Sequence, residues 1–553
     1  NLFTFFEIMS FTSYILVIHD EDRYAHEAGV TYIAMAIIGG MILLMGLFLM
    51  YDYTGTLHID ELYNKMLELG SIKYTIAFLV LTGFAVKAGM FPLHVWLPKS
   101  YSAAPSPASA ILSSILSKTG IFGIIIVSSF IMRGDYIISN TIFIFGLITM
   151  FLGGLLAIFQ RHMKRVFAYS SMSQIGFMLV GVGLIGLLGE GSNSLAIYGT
   201  IFHAVNHSLI KALLFLCAGI IYMMTNEMSI NFIRGYGRNK LLLKLSVLIG
   251  VLAIIGMPGF AGFISKTFLH EALAEGHHLY HNMLFSITEI VFVMSSSFTV
   301  AYMLKIFITV FVEKNDKFEK DTKKYMTKIA AAPIILLSLV IIVIGIKPQI
   351  VFPWISESLF VFHVNEDMHS KLYTLYNIKT ALAPIILGSL IYVFIIRGLL
   401  RKGPEGLYVN PIPRWMNIEK SIYVPIIKGL YNIGIAISHI MDIAIIKTAD
   451  LVIEALRKIG QLNITTIKTT SSVTAAFERI SRASTENIST GSNIRTNIEE
   501  KKEDLAEKAH IKAQNLESTL ANMRYKLNSI VYGVFIFAIC IVIMLLMMVF
   551  NIF

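Results

Sequence analysis

Three protonatable side chains, His203, His207 and Lys211, recur every four residues in GTIFHAVNHSLIKALLFLCAG (199–219), a stretch otherwise apolar enough to sit in lipid. On a helix, positions four apart drift by only about 40°, so the three share one stripe about 12 Å long. Two chemistries fit such a stripe. An HxxxH pair can hold zinc, but zinc needs a third acidic, histidine or cysteine ligand, and the next place is taken by a lysine whose charge opposes a metal. The other chemistry is proton exchange. Histidine titrates near neutral pH, burial brings a lysine toward the same range, and such groups can hand a proton along through intervening water. Proton exchange is the expectation, and no metal site is expected.

Other charges lie in equally apolar surroundings: Glu7 in FFEIMSF, Lys87 in AVKAGM, Lys118 in LSKTGIFG and Lys266 in FISKTF. A lysine at a helix centre costs roughly 2.5–3.5 kcal/mol on insertion scales, so several of them together are not a folding convenience. Lys87, Lys118 and Lys211 lie well inside their spans, whereas Lys244 and Lys305 lie nearer ends, where a lysine can snorkel to the interface. Lys305 is a further candidate relay residue on that proviso. Glu7 is the one deep carboxylate in the first half, and an ion pair with Lys87 is the natural way to keep both charged. His94 sits at a helix break, where a functional role and a simple helix-end hydrogen bond are equal alternatives.

These residues need a membrane bundle to position them. The chain has 553 residues, of which 56% are hydrophobic and 14% charged, and its mean hydropathy is +0.70. That composition belongs to an all-α polytopic membrane protein. Apolar runs long enough to span occur near 1–19, 28–51, 73–96, 107–132, 139–159, 166–188, 195–224, 241–270, 284–312, 329–347, 380–397 and 530–552. No alternating ten-residue segments suggest an outer-membrane barrel. The two cysteines, Cys217 and Cys540, lie in apolar runs, so no iron–sulfur or zinc framework and no cofactor is expected in this chain.

The net charge of +10 is unevenly placed. With alternate loops on opposite sides, one side receives Arg161, Lys164 and Arg165, then Arg234, Arg238, Lys240 and Lys244, the lysine-rich 314–328 loop, and Arg397, Arg401 and Lys402. The other receives the acidic or mixed loops 52–72 and 189–194. The positive-inside rule makes the basic side cytoplasmic. No basic patch is interleaved with exposed aromatics, so nucleic acid is excluded as a partner.

Two spans are interrupted alike, FAVKAGMFPLHVWLPKS (84–100) and IIGMPGFAGFISKTFLHEAL (254–273), each with Gly and Pro at the break and a lysine beside it. Proline removes a backbone donor, and the freed carbonyls must find protein or water. Paired breaks of this kind point to a duplicated transporter with sites near the midplane. The second break falls in the fourth span of a group starting near 139, but only two intact spans precede the first. One repeat helix is therefore expected ahead of Asn1, which also lies in an apolar run, NLFTFFEIMSF, whose Glu7 needs shielding neighbours. After 397 the character changes. Residues 494–528 are charged, with Leu516, Leu520, Met523 and Leu527 at helical spacing. A long cytoplasmic surface helix, lying along neighbours, is expected there before one last span; a loosely ordered tail is the alternative.

The stretches FPLHVWLPKSYSAAPSPASAILSSILSKTGIFG, KRVFAYSSMSQIGF, FHAVNHSLIKALLFLCAG and GMPGFAGFISK, in that order, resemble the antiporter-like subunits shared by respiratory complex I, membrane-bound hydrogenases and multisubunit Mrp sodium/proton antiporters. The resemblance runs from residue 1 to about 312. It implies two inverted five-helix repeats with broken helices, then a lateral helix and a closing transmembrane helix like those of the distal subunit. On that plan 1–132 is the first repeat with its N-terminal helices missing, 133–312 the second, 313–410 additional helices and loops, 411–529 the lateral amphipathic region and 530–553 the final span. The resemblance also implies roles. Glu7 and Lys87 would be the pair whose opening and closing modulates the lysine's hold on its proton, and Lys118 the next relay. His203, His207 and Lys211 would be the central part, and Lys266 the terminal residue facing an exit.

The distal complex I subunit usually carries a histidine near position 118, where this chain has lysine, with Ser113 and Ser114 nearby. That departure leans toward hydrogenase-type or Mrp-type relatives. The function implied is a proton-translocating subunit of a redox-driven complex of hydrogenase or NADH/F420H2 dehydrogenase type, in a prokaryotic cell membrane, with Na⁺ an alternative cargo. Its partners would be other antiporter-like and small membrane subunits and a peripheral redox arm carrying iron–sulfur clusters, with a nickel–iron site or flavin as alternatives. The rival is an Mrp-type Na⁺/H⁺ antiporter without redox chemistry. A structural subunit with a dead channel would not explain so many costly buried charges.

Overall fold

In lipid every backbone polar group must be satisfied within the protein, which leaves helices as the form these apolar runs can take. The computed structural model describes residues 1–411, except Glu190, 320–324, 363–371 and 404–405, together with scattered positions between 421 and 451. The chain divides into two compact units, 1–433 and 434–553. The expected lateral helix and the final span near 530–552 lie outside the described residues.

The helices are α1 (Leu2–Val17), α2 (Arg23–Thr54), α3 (Ile59–Glu68), α4 (Ile72–Ala88), α5 (Trp96–Ala103), α6 (Ser106–Ile131), α7 (Tyr136–Phe159), α8 (Met163–Leu188) and α9 (Ser194–Thr225). They continue as α10 (Leu241–Ile255), α11 (Ala261–Tyr280), α12 (Met283–Phe311), α13 (Lys328–Ile346), α14 (Phe352–Val361) and α15 (Leu375–Leu399). Among the described residues eight helices are long and apolar enough to cross a membrane, and Leu2–Val17 and Leu241–Ile255 are shorter apolar helices. Eleven of the expected spans coincide with these helices. The short helix α3 is an addition, in a stretch that reads as loop because half of its residues are polar or charged.

The two broken spans stop by the same device. In the first, Gly89 takes the left-handed conformation (φ 77°) after α4, and Met90 N–H reaches back to the Ala85 carbonyl. In the second, Gly256 (φ 85°) follows α10, and Met257 N–H reaches the Leu252 carbonyl. This six-to-one closure ends a helix cleanly within the protein. The chain resumes as α5 and α11 after a short connection, with Phe91 N–H held by Thr149 Oγ1 of α7 at 3.0 Å.

The basic loops meet at one end of the bundle. Ile230 N–H donates to Arg161 O, Gly235 N–H to Thr309 O and Gly237 N–H to Val310 O, at 2.8, 2.8 and 2.9 Å. Glu313 is gripped by Arg234 and, at 3.0 Å, by Arg401. Arg401–Lys402 and Leu407–Tyr408 form a two-stranded hairpin whose Tyr408 backbone is clasped on both sides by the Asn231 amide.

Helices α7 and α8 form the centre, and glycines let them touch. A Cβ on Gly153 would come within 2.5 Å of Ser173 N, and one on Gly176 within 2.2 Å of Met150 N. Gly146 and Gly183, each seven residues away, face Val180 and Phe143 comparably closely. Such backbone contact replaces the missing hydrophobic drive between helices in lipid. Gly176→Leu is expected to cost about 1–3 kcal/mol by overpacking, read as a lower unfolding temperature of the purified protein. An unchanged temperature would refute the close packing.

Candidate functional site

At one end of the row of buried charges stands Lys87, the next-to-last residue of α4. Its ammonium lies 5.1 Å from the Phe6 ring centre and 5.9 Å from that of Tyr32. It donates to Ser10 Oγ, and Ser10 in turn donates to the Phe6 carbonyl at 3.1 Å. The direct Glu7–Lys87 ion pair expected from the sequence is not made. Ser10, one turn from Glu7 on the same face of α1, takes the ammonium instead. Glu7 Oε1 is buried without a hydrogen-bond partner in a niche opened by Gly40 of α2, where a Cβ would come within 2.5 Å of that oxygen. The ammonium is thus held by a serine hydroxyl rather than by the carboxylate.

Lys118 follows a distortion in its own helix. Residues Leu112–Leu116 are π-helical, and this wider turn, common at functional sites, leaves carbonyls free for other donors. Lys118 donates to Ser113 O, and Ser208 of α9 donates to Ser114 O at 2.6 Å. Ser113 Oγ meets Ser171 Oγ of α8 at 2.8 Å, and Ser171 donates to Phe167 O at 3.0 Å. That carbonyl also receives Lys211 Nζ, at 2.8 Å. Lys211 donates again to Ser170 Oγ at 2.9 Å, where the Tyr302 hydroxyl from α12 also donates at 2.9 Å. The two lysines, on α6 and α9, thus lie at either end of a contact between serines of α6 and α8, each bonded to a main-chain carbonyl rather than to a serine hydroxyl of that contact. Because the Ser113 and Phe167 carbonyls only accept, a proton would cross both points by rotation of a side chain or through water.

His203 and His207 continue the Lys211 stripe, as the four-residue spacing requires. Their rings lie 6.4 Å apart, inclined by 17°. His203 Nδ1 bonds Ser265 Oγ at 2.9 Å. His203 Nε2 and both nitrogens of His207 have no hydrogen-bond partner among the described residues. Lys266 follows Ser265 on α11. Its ammonium faces the Phe177 ring at 5.2 Å and the Ile255 carbonyl at 3.4 Å, the negative end of the α10 dipole.

Lys305, the further candidate, bonds main-chain carbonyls alone. Lys305 does not snorkel: it is 1% exposed and donates to the carbonyls of Ile158 and Gln160 at 2.9 and 2.7 Å. It therefore caps the end of α7, with the Tyr408 ring 5.0 Å away. The hairpin at 401–408 supplies that cover, which no nearby sequence could reveal. Lys164, which sequence reasoning passed over as a loop-edge charge, caps α5 in the same way through Ala104 O at 2.7 Å. His94 is buried and stacked on Phe91 at 5.7 Å; it meets the Pro92 backbone in the connection, and its Nδ1 has no hydrogen-bond partner. Among the described residues no group of three His, Cys, Asp or Glu could hold a metal ion. Ser113, Ser170, Ser171 and Tyr302 were missed as well. The available signal was YSSMSQ (169–174), a run of hydroxyls in a helix whose every face is buried.

The model of the NADH:quinone oxidoreductase/Mrp antiporter transmembrane family matches residues 1–293. A Na⁺/H⁺ antiporter subunit of Alkalihalophilus pseudofirmus is 30% identical over 357 residues, 64% of this chain and 69% of that protein. Hydrogenase-4 component B of Escherichia coli is 34% identical over 277 residues, 48% of this chain and 41% of that one. Among solved structures, the Mrp complex from Dietzia sp. DQ12-45-1b matches with a TM-score of 0.65 at 21% identity, over 85% of this chain and 50% of that chain. Respiratory complex I from Thermus thermophilus matches with a TM-score of 0.51 at 21% identity, over 64% of this chain and 74% of that chain. These two likenesses speak for the fold.

Removing a capping lysine and removing a relay lysine should differ. Lys305→Met is expected to lower stability by about 1–3 kcal/mol, the cost of orphaned buried carbonyls, with ion transport per folded complex within about twofold of the parent. Lost transport at unchanged stability would return Lys305 to the relay.

Proposed function

The chain belongs to the NADH:quinone oxidoreductase/Mrp antiporter transmembrane family, and from that membership we propose that its buried charges carry protons along the membrane plane. It is a multi-pass, antiporter-like subunit of the complex I/Mrp superfamily. The observation that carries the reading is the placing of Lys118 and Lys211 at the two ends of the Ser113–Ser171 contact, each on a main-chain carbonyl beside it, with the two imidazoles continuing toward Ser265 and Lys266. Hydroxyl groups and imidazoles can each receive one proton while releasing another, so a row of them inside an apolar core is suited to transfer.

In the mechanism proposed, the Glu7–Lys87 pair is the control point. With Ser10 holding the ammonium, Glu7 is free of it; a small rotation that exchanges Ser10 for the Glu7 carboxylate would strengthen the lysine's hold on its proton. Opening the pair would release that proton toward Lys118. The proton would then pass through Ser113 and Ser171 to Lys211, along His207 and His203, and reach Lys266. The two halves, 1–132 and 133–312, would act as inverted repeats, each contributing one broken helix. Residues 411–529 would form a lateral helix along neighbouring subunits, closed by a span at 530–553.

We take the driving partner to be a redox arm holding iron–sulfur clusters, with a nickel–iron site or flavin, in a complex with other antiporter-like and small membrane subunits. The 34% identity to hydrogenase-4 component B supports this. The second reading, Na⁺/H⁺ exchange without redox chemistry, is favoured by the larger share of the Alkalihalophilus antiporter protein that is matched, 69%. Nickel and iron content of the purified intact complex decides between them. Iron is expected; a complex active in ion exchange with neither metal would establish the antiporter reading. For the path itself, Lys87→Met is expected to abolish coupled transport while the complex still assembles, and full transport by that variant would overturn the mechanism.

A further inference from the structure

Beyond Lys266 the fold continues in a direction that the row of lysines and histidines does not explain. A cavity with about 40 Å³ open to water-sized molecules lies against Lys266, Thr267 and His270 of α11, Ser296 of α12 and Thr380 of α15. A water needs roughly 10–15 Å³ of such space and a few polar partners. Ser296 is 2% exposed, and its hydroxyl has no hydrogen-bond partner, so a buried polar group is left facing this space. His270 follows Lys266 by four residues and His277 follows by seven more, which puts all three on one face of α11. His270 Nε2 stands 3.7 Å from Glu289 Oε1, and the Glu289 side chain is 56% exposed against 15% for His270. Glu289 lies two turns into α12, and α11 leads away from the basic loops: Tyr280, its last residue, bonds Leu187 O at the far end of α8. Nearby, Glu271 is occupied by the Asn377 amide at 2.8 Å.

We infer that His270 and Glu289 form the proton outlet of this chain, linking Lys266 through the cavity to the side opposite the basic loops. The inference rests on the proton-carrying reading proposed above. Lys266 gives up one proton to water in the cavity, and that water gives one to His270 Nδ1. The imidazole releases the proton on Nε2 to the Glu289 carboxylate, which loses it to the outside. Rotation or tautomer exchange of the ring restores the start, so one proton leaves for each one received.

The test uses the intact complex in proteoliposomes, with proton movement read by a pH-sensitive dye. Transport is driven by donor oxidation if the complex holds iron, or by a Na⁺ gradient if it does not. Variants His270→Ala, Glu289→Gln and Lys266→Met are compared. His270→Ala is expected to lower transport at least tenfold. Added imidazole should restore it, and restoration should rise with proton affinity across methylated imidazoles of similar size. Glu289→Gln should also lose transport several-fold. If Lys266→Met is inactive while His270→Ala and Glu289→Gln transport at the parent rate, the outlet is elsewhere and the proton-carrying reading stands. If Lys266→Met also transports fully, that reading itself fails. Loss in His270→Ala that no imidazole restores makes His270 structural and overturns the proposal.

Discussion

An ammonium group held among apolar side chains must be met by oxygen, and in this bundle the oxygens come mainly from helix backbones that have been opened. Lys305 takes the carbonyls at the end of α7, Lys164 the one after α5, and Lys266 the last of α10. Lys118 takes a carbonyl of the π-helical turn just before it, and Lys211 one from the first turns of α8. A helix has spare carbonyls at its C-terminal end and where its ladder is disturbed. The break after Ile255 and the wide turn at 112–116 supply such carbonyls to Lys266 and Lys118, whereas Lys211 shares the Phe167 carbonyl with Ser171 inside α8. The glycine contacts between α7 and α8 then hold those opened segments within reach of each other.

Neutral oxygens suit lysines that must exchange a proton. A buried lysine fixed to a carboxylate is held charged, and breaking such a pair is costly. A lysine held by carbonyls and hydroxyls can lose its proton and keep part of its contacts. Glu7, the carboxylate expected to pair with Lys87, does not hold it in this structure, where Ser10 takes the ammonium. Lys305 differs from Lys211 in what surrounds it rather than in its depth. Its two acceptors are helix-terminal carbonyls, with no hydroxyl or imidazole among its hydrogen-bond partners, whereas Lys211 touches a serine that a tyrosine also reaches.

Much of this was legible in the sequence. The spans followed from hydropathy, the two breaks from Gly and Pro within apolar runs, and the His203–His207–Lys211 stripe from its spacing alone. What stayed hidden depended on partners distant in the chain. Lys305 reads as a snorkelling residue until the hairpin at 401–408, about a hundred residues later, is seen to cover it with Tyr408. Serines in apolar helices commonly bond their own backbone, so nothing local distinguished Ser113 from the rest, and the YSSMSQ run was the one local sign of Ser170 and Ser171. The Glu7–Lys87 contact was expected to be direct because a sequence cannot show that Ser10 receives the ammonium instead. Conversely, the π-turn has no composition signal, and only its consequence, a lysine five residues from the carbonyl it uses, identifies it.

The central claim is that the buried lysines change protonation rather than merely hold charge. Arginine remains charged at any accessible pH, so replacing Lys211 by both methionine and arginine separates the two. Transport should be measured in the intact complex, with assembly checked in parallel. The account predicts that Lys211→Arg is as inactive as Lys211→Met, because neither can release a proton. Transport by Lys211→Arg at the parent rate would show that a fixed positive charge suffices there and would contradict it.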